Sequence, residues 1–248
     1  MPLEGLTQQR LEKLNRLRSQ GVEPYPHSFN RSHTSAQAIA LLESREARGA
    51  DGLSPVTVAG RVMSLRTMGK AAFLDLRDGS GRIQVLVRLP QLTPLDKEVF
   101  AELDIGDIIG VQGSLMRTRT REATVEAAEL TLLTKCLLPL PEKWHGLSDS
   151  EIRYRQRYLD LIANPSSLQT LKTRSLIVST LRRFMEAQGF LEMDTPVFQS
   201  TPGGAAATPF VTYHNALGQD FYLRIATELH LKRLIIGGFE RVYEIGRV

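Results

Sequence analysis

Ala72-Phe73-Leu74-Asp75-Leu76-Arg77, then Asp78-Gly79-Ser80-Gly81, then Arg82-Ile83-Gln84-Val85-Leu86-Val87-Arg88 is the stretch whose reading decides the fold. Side chains alternate with a period of two, so Leu74 and Leu76 share one side while Phe73, Asp75 and Arg77 share the other. In the second run Gln84, Leu86 and Arg88 lie opposite Ile83, Val85 and Val87. The Asp-Gly-Ser-Gly insert has the residues of a tight turn, so the two runs predict a hairpin. Working outward, residues 56–62 read as a strand before it. Residues 95–103 read as helical, and residues 108–115 and 123–133 as two more strands. Three strands, a helix and two strands predict a small five-stranded barrel of the OB type.

The flanks change period. Residues 6–20 predict a basic amphipathic helix, with Thr7 as its cap and Gly21 as its stop. Leu11, Leu14 and Leu17 form its stripe, ringed by Arg10, Lys13, Arg16 and Arg18. That helix either docks on the body with a solvated basic face or touches phosphates. Thr34 or Ser35 opens a second helix to about Arg48, and Asp51-Gly52 and Pro55 punctuate the chain. Past the barrel, Pro139-Leu140-Pro141 marks a linker and Asp149 caps a helix through Ile162. A longer helix over 167–188 is expected to turn Leu171, Ile177, Leu181 and Phe184 inward and to end at Gly189. An extended segment at 190–198, a Thr201-Pro202-Gly203-Gly204 turn, a strand pair within 209–223 and a helix over 227–236 follow. Residues 241–248 read as a strand without a partner. The expected organisation is a helical extension at 1–54, the barrel at 55–140, linker and helix at 141–165, and the first part of an α/β domain at 166–248. The fold class is α+β.

Bulk properties narrow the function classes. The chain has 248 residues, 42% of them hydrophobic, and a formal charge of +4. A mild positive excess permits nucleic-acid binding without demanding it. With one cysteine, Cys136, no intramolecular disulfide can form. Cys136 lies in the run Leu132-Leu133-Thr134-Lys135-Cys136-Leu137-Leu138 and reads as core. No apolar segment opens the chain, and none approaches the ~20 residues of a membrane span. The expectation is a cytoplasmic protein. No metal-ligand spacing, Walker A loop, G-x-G-x-x-G or G-x-S-x-G is present.

Candidate chemistry follows from the patterns. Phe73 is an aromatic on a polar strand face near Gln84, which suits stacking and reading of one base; the same ring could instead pack under the N-terminal helices. Arg117, Arg119 and Arg121 alternate with threonines, as a phosphate-binding face or a charge-protected edge would. Gly203-Gly204 allows a close backbone approach or simply turns the chain. Glu228 favours the helix dipole and can pair with Lys232, or it can meet a substrate ammonium.

Several stretches resemble one family in order along the chain. Gly60-Arg61-Val62-Met63, Arg66-Thr67-Met68-Gly69-Lys70-Ala71-Ala72-Phe73 and Gly81-Arg82-Ile83-Gln84 look like the anticodon-binding domain of class II lysyl-tRNA synthetases. Pro139-Leu140-Pro141-Glu142-Lys143-Trp144-His145-Gly146-Leu147 and Arg153-Tyr154-Arg155-Gln156-Arg157-Tyr158-Leu159-Asp160-Leu161-Ile162 resemble that family's linker. Gly189-Phe190-Leu191-Glu192 with Asp194-Thr195-Pro196 resembles motif 1. Phe239-Glu240-Arg241-Val242-Tyr243-Glu244-Ile245 resembles the opening of motif 2.

The resemblance implies that Arg66, Phe73, Gln84 and Glu122 read an anticodon, with Phe73 on its central uridine. It implies that Gly204 and Glu228 hold lysine and that Pro196 lies at a homodimer interface. The implied reaction is ATP-dependent activation of lysine and its transfer to tRNA(Lys). The implied Mg²⁺ ligands lie in sequence beyond this chain, as do the motif 2 arginine and motif 3. The chain therefore reads as a fragment with no complete catalytic set and no metal ligand of its own. Related readings are an aspartyl- or asparaginyl-type synthetase and a non-catalytic tRNA-binding OB protein. Thr208, Thr227 and Arg121 depart from the family's usual Arg, Pro and Gly.

Overall fold

A computed structural model describes residues 3–49, 54–141 and 147–248. The Asp51-Gly52 break and residues 142–146 of the linker motif lie outside the described residues. The chain divides into two compact units, Met1–Leu159 and Asp160–Val248.

In the first unit α1 (Leu3–Ser19) and α2 (Ser35–Ala47) precede five strands. These are β1 (Pro55–Met68), β2 (Ala71–Arg77), β3 (Arg82–Arg88), β4 (Ile108–Arg117) and β5 (Ala123–Thr134), with α3 (Pro94–Ala101) between β3 and β4. Their order, β1-β2-β3-β5-β4, closes on itself. All pairs are antiparallel except β3 with β5, which is parallel over Gln84–Leu86 and Thr124–Glu126. The register shifts at Val62/Ser64, where β1 carries an extra residue, and opposite Gln112/Gly113 and Ile108/Ile109, where β5 carries one, and extra residues of this kind bend and twist a strand.

The expected strand at 56–62 continues to Met68, and Gly69 then turns the chain with φ +61. A glycine in the left-handed region is what a tight hairpin needs at its first central position. The second hairpin turn is held by Asp78, whose Oδ1 accepts from Ser80 N (2.8 Å), Ser80 Oγ (2.7 Å) and Gly81 N (3.0 Å). Burial works against its charge, but these bonds and one from Ser35 N outweigh burial and hold its pKa below the ordinary carboxylate range.

The core is the inner face that the alternation predicts. Val56, Val58, Val62, Ala72, Leu74, Leu76, Ile83, Val85, Val87, Ile109, Val111, Val125 and Leu132 are all buried there. Leu92, Val99 and Leu103 close it from α3 and its flanks.

Helix α1 starts four residues before Thr7, so Thr7 is not its cap. Leu14 and Leu17 are buried, but Leu11 is exposed. The basic ring of α1 is largely occupied. Arg10 donates to the carbonyls of Cys136 (2.8 Å) and Ile105 (3.1 Å), Lys13 pairs with Asp104 (2.7 Å), and Arg16 grips Glu102 (2.7 and 2.9 Å). The helix is docked, as one alternative had it, but Arg10, Lys13 and Arg16 are bonded to the barrel and do not form the solvated basic face expected with it. Helix α2 starts at Thr34, whose hydroxyl and Gln37 form a reciprocal capping box.

Beneath α1 lies the largest surprise of this unit. Lys135 is fully buried, with Nζ 2.6 Å from Asp104 Oδ2, 2.8 Å from Asp107 Oδ2 and 2.7 Å from the Glu102 carbonyl. Its neighbour Cys136, expected in the core, is only half-buried.

The linker helix breaks at Gln156 into α4 (Ser150–Arg155), capped by Asp149, and α5 (Arg157–Ala163). In the second unit α6 (Pro165–Ala187) ends at Gly189, whose φ is +77. Two short strands, β6 (Leu191–Glu192) and β7 (Phe198–Gln199), follow. After them come β8 (Val211–His214), β9 (Gln219–Leu223), α7 (Glu228–Ile236) and β10 (Val242–Tyr243). Strands β7-β9-β8 form an antiparallel sheet, and β10 pairs in parallel with β6. The last strand thus has a partner, contrary to the sequence expectation. A second expectation fails on α6. Leu171, Ile177, Leu181 and Phe184 are exposed, because no described residue covers that stripe.

Candidate functional site

On β2 the alternation that buries Ala72, Leu74 and Leu76 turns Phe73, Asp75 and Arg77 outward. The register supplies their neighbours. Arg66 of β1 and Leu86 of β3 flank Phe73, while Ser64 and Gln84 flank Asp75. Gln84 is therefore diagonal to Phe73 and one step along the same face, not directly across from it. The ring is half-buried, which leaves part of it open to solvent. Arg66 is exposed and has no ion pair among the described residues.

Gln84 is buried, although the hairpin pattern alone puts it on an open polar face. Its Oε1 accepts from Thr124 Oγ1 and its Nε2 donates to Glu122 Oε2, each at 3.0 Å. The parallel pairing of β3 with β5 brings Thr124 to it. Arg82 donates to the other oxygen of Glu122 at 2.8 Å and lies 3.6 Å from Asp75 Oδ2, which accepts from Ser64 Oγ at 2.5 Å. Asp75 Oδ1 is buried without a donor, a cost that the surrounding network carries. The result is a continuous polar chain, Ser64–Asp75–Arg82–Glu122–Gln84–Thr124, beside an aromatic ring. Such a chain fixes amide and carboxylate orientations before any ligand arrives. A carboxylate has about four acceptor positions, so Glu122 keeps acceptor capacity beyond its two bonds.

Glu122 is delivered by the β4–β5 turn. The expected row of three arginines on one strand does not form, because β4 ends at Arg117. Arg117 is bound by both carboxylate oxygens of Glu46 at 2.9 Å. Arg119 and Arg121 sit in the turn and are exposed. Among the described residues Arg121 is the only non-glycine with a positive φ, +63. A side chain in that conformation costs roughly 1–2 kcal/mol.

In the second unit the structure brings Gly204 and Glu228 together. Gly204 has φ +93, and a Cβ built on it would lie 3.0 Å from Ala226 Cβ and 3.5 Å from Glu228 Cβ. The glycine thus serves both a left-handed turn and a close approach to the start of α7. Glu228 is exposed and pairs with Lys232 one turn on. Thr227 precedes α7 in αR conformation and makes no capping hydrogen bond. Pro196 is exposed beside Val197 and Phe198.

A buried cluster here escaped the sequence reading. Arg224 Nη1 donates to Thr195 O (3.0 Å), Thr195 Oγ1 (2.9 Å) and Glu244 Oε1 (2.5 Å), while Thr195 Oγ1 donates to Glu244 Oε2 (2.6 Å). Arg224 Nε also donates to the Arg247 carbonyl at 3.0 Å. Burial pushes the Glu244 carboxyl upward, but the bonds from Thr195 and Arg224 outweigh it and hold its pKa below the ordinary range. The cluster ties the segment before β7 to the segment after β10. A charged residue inside Tyr222-Leu223-Arg224-Ile225 was the only signal available. Asp75, Arg82 and Thr124 were missed as well. The outward phase of β2 and the hairpin register hold the signal for Asp75.

Among the described residues no group of three His, Cys, Asp or Glu is placed to hold a metal ion, and no helix is long and apolar enough to cross a membrane.

Comparison with known proteins matches each part. A family model for the OB-fold nucleic acid binding domain matches residues 56–133, and one for tRNA synthetases class II (D, K and N) matches residues 149–248. The chain is 57% identical over 248 residues to a lysine--tRNA ligase of Dehalococcoides mccartyi, covering all of the chain and 50% of that protein. It is 54% identical over 245 residues to that of Pelotomaculum thermopropionicum, covering 99% of the chain and 47% of that protein. It is 53% identical over 240 residues to that of Salmonella arizonae, covering 96% and 47%. The chain spans about half the length of the curated relatives it matches.

Proposed function

We propose that this chain, which matches the OB-fold nucleic acid binding domain over residues 56–133 and the class II tRNA synthetases (D, K and N) over residues 149–248, is part of a lysine–tRNA ligase whose five-stranded barrel reads the anticodon of tRNA(Lys). The observation that carries this reading is the outward ring of Phe73 beside the fixed Gln84–Glu122 pair. A base stacked on Phe73 would have its edge next to oriented amide and carboxylate groups, which is how unpaired bases are read. Arg66, on the neighbouring strand, supplies a free guanidinium for the base or its phosphate.

In the second unit Gly204 and Glu228 hold lysine in this reading. Glu228 exchanges its Lys232 contact for the ammonium of the substrate, a like-for-like replacement of one cation by another. In the reaction a lysine carboxylate oxygen attacks the α-phosphorus of ATP and pyrophosphate leaves. The terminal ribose hydroxyl of tRNA then takes the lysyl group and AMP leaves. This chain's residues contribute positioning. The Arg224–Glu244–Thr195 cluster fixes the strand leading into the ATP-binding region. Mg²⁺ is expected with ATP, but the described residues provide no ligand set for it, and no step is assigned to it. A homodimer is part of the proposal. Its support is the exposed apolar stripe on α6 together with Pro196, Val197 and Phe198.

The test uses a protein of the relatives' full length. Phe73→Ala should weaken charging of tRNA(Lys) while lysine-dependent exchange of pyrophosphate into ATP stays near wild type, since the ring lies in the other unit. Exchange driven by aspartate or asparagine instead of lysine, or an equal fall of exchange and charging, would overturn the assignment.

A further inference from the structure

We propose that Arg10 of α1 is a positioning residue for tRNA charging: it gathers the chain where it leaves the barrel and so fixes the direction of the linker. This rests on the reading that the barrel holds tRNA(Lys) while the second unit activates lysine. Strand β5 ends at Thr134, so residues 135–140 run outside the sheet. Side chains hold them instead. Arg10 Nη1 donates to the carbonyls of Cys136 (2.8 Å) and Leu138 (3.3 Å), and its Nη2 donates to that of Ile105 (3.1 Å). One planar guanidinium thus staples the exit segment to the turn before β4.

The barrel supplies the rest of the seat. Asp107 Oδ1 accepts from Cys136 N (2.7 Å), and Tyr25 Oη donates to the Lys135 carbonyl (3.0 Å). Gly106 has φ +105, and a Cβ built on it would lie 3.0 Å from Cys136 Sγ and 3.3 Å from Leu140 Cγ. Without that atom, Cys136 and Leu140 lie directly on the turn. Arg16, one and a half turns along α1, bonds the Glu102 carboxylate instead. Arg10 and Arg16 therefore separate anchoring of the exit from docking of the helix.

The sequence that follows makes the anchor consequential. In Leu138-Pro139-Leu140-Pro141 each proline fixes its own φ and pushes the residue before it to extended backbone. Such a segment is a stiff spacer, not a free hinge. A stiff spacer carries forward the direction of its anchored end. Without the guanidinium, a swing at Cys136 and Leu138 is passed on along the linker. The tRNA held by the barrel then reaches the lysyl-transfer step in a spread of orientations, although each site is itself intact.

The experiment uses a protein of the relatives' full length. In Arg10→Ala, amide hydrogen exchange over residues 136–140 should quicken by about tenfold or more, the scale of lost charge-assisted bonds, and stay near wild type in the barrel strands. Lysine-dependent pyrophosphate exchange and the KM for tRNA(Lys) should not change. The kcat for charging should fall by about tenfold, within the roughly hundredfold that a displacement of about 1 Å can cost. Arg16→Ala, which frees Glu102 and leaves the seat intact, should charge at the wild-type rate. Arg10→Lys keeps the charge but places its donors on one atom; it should show the same pattern in weaker form, and it decides the question if the alanine variant does not fold. Unchanged exchange over 136–140, or faster exchange there with wild-type kcat, would overturn the proposal. Equal falls of kcat in Arg10→Ala and Arg16→Ala would also overturn it, because docking of α1 alone would explain both. If the wild-type protein does not charge tRNA(Lys), the underlying reading falls as well.

Discussion

Replacing Lys135 with alanine should unfold the first unit far more easily than any surface change. Nζ is fully buried and holds Asp107 Oδ2 at 2.8 Å and Asp104 Oδ2 at 2.6 Å. Asp107 is itself fully buried, and Lys135 is the only cation with which it forms an ion pair among the described residues. Its remaining bonds come from the backbone N–H groups of Asp104 (2.8 Å) and Cys136 (2.7 Å). Asp104 keeps Lys13 at 2.7 Å, so it suffers less. Removing one partner of a buried ion pair leaves an uncompensated charge, at a cost of about 3–5 kcal/mol. At about 2–4 °C per kcal/mol for a unit of this size, the melting midpoint should drop by roughly 6–20 °C. Urea unfolding followed by circular dichroism measures the free energy directly.

Lys135→Met separates charge from packing. Met keeps the apolar stem but leaves Asp107 unpaired, so it should be nearly as damaging as alanine. A loss below about 1 kcal/mol for alanine, or near-complete rescue by Met, would refute the assignment of the ammonium to these two carboxylates. The same network predicts acid sensitivity. Burial raises the pKa of Asp104, but hydrogen bonds and charge from Lys13 and Lys135 outweigh it and leave a depressed value. In Glu102 the Arg16 hydrogen bond lowers the pKa. A depressed folded pKa contributes stability above the unfolded value and loses it as pH falls through the folded value. Stability of the first unit should therefore hold at neutral pH and decline from about pH 4 downward.

Other perturbations probe the second unit and its candidate site. Glu244→Ala should strand Arg224, which is buried and otherwise bonded mainly to Thr195 and the Arg247 carbonyl, and should cost about 3–5 kcal/mol in denaturant melts. Glu244→Gln, which keeps an acceptor, should cost less; equal losses would contradict the ion-pair reading. Gly204→Ala should destabilise by about 1–2 kcal/mol from its left-handed backbone. In a protein of the relatives' full length it should also raise the KM for lysine in pyrophosphate exchange, and an unchanged KM would remove Gly204 from the lysine site.

The barrel's elements were legible because a period of two identifies a strand and its faces without knowledge of the partner. The same pattern does not report what covers a face. Gln84 therefore read as open, although Thr124 and Glu122 enclose it through a parallel pairing more than thirty residues away in sequence. The expectation of a core Cys136 failed for a related reason. In an apolar run a cysteine reads as core and a lysine as surface, yet Asp104 and Asp107, distant in sequence, make the lysine the buried residue. The stripe on α6 was found correctly as a stripe, but periodicity does not supply its cover. Gly204 and Glu228 were singled out separately, and the turn that puts them side by side could not be foreseen from spacing. Arg121 has a positive φ, a backbone conformation that glycine adopts more readily than a side chain, and sequence alone does not give that angle.

The account stands most directly on a coupling between one ring and one base. Hairpin RNA with the central anticodon uridine intact or made abasic is bound to wild-type chain and to Phe73→Ala. Loss of the base should weaken wild-type binding by the roughly 1–3 kcal/mol of one stacked base and should leave Phe73→Ala binding nearly unchanged. The same abasic penalty in both proteins would mean that the ring does not touch that base.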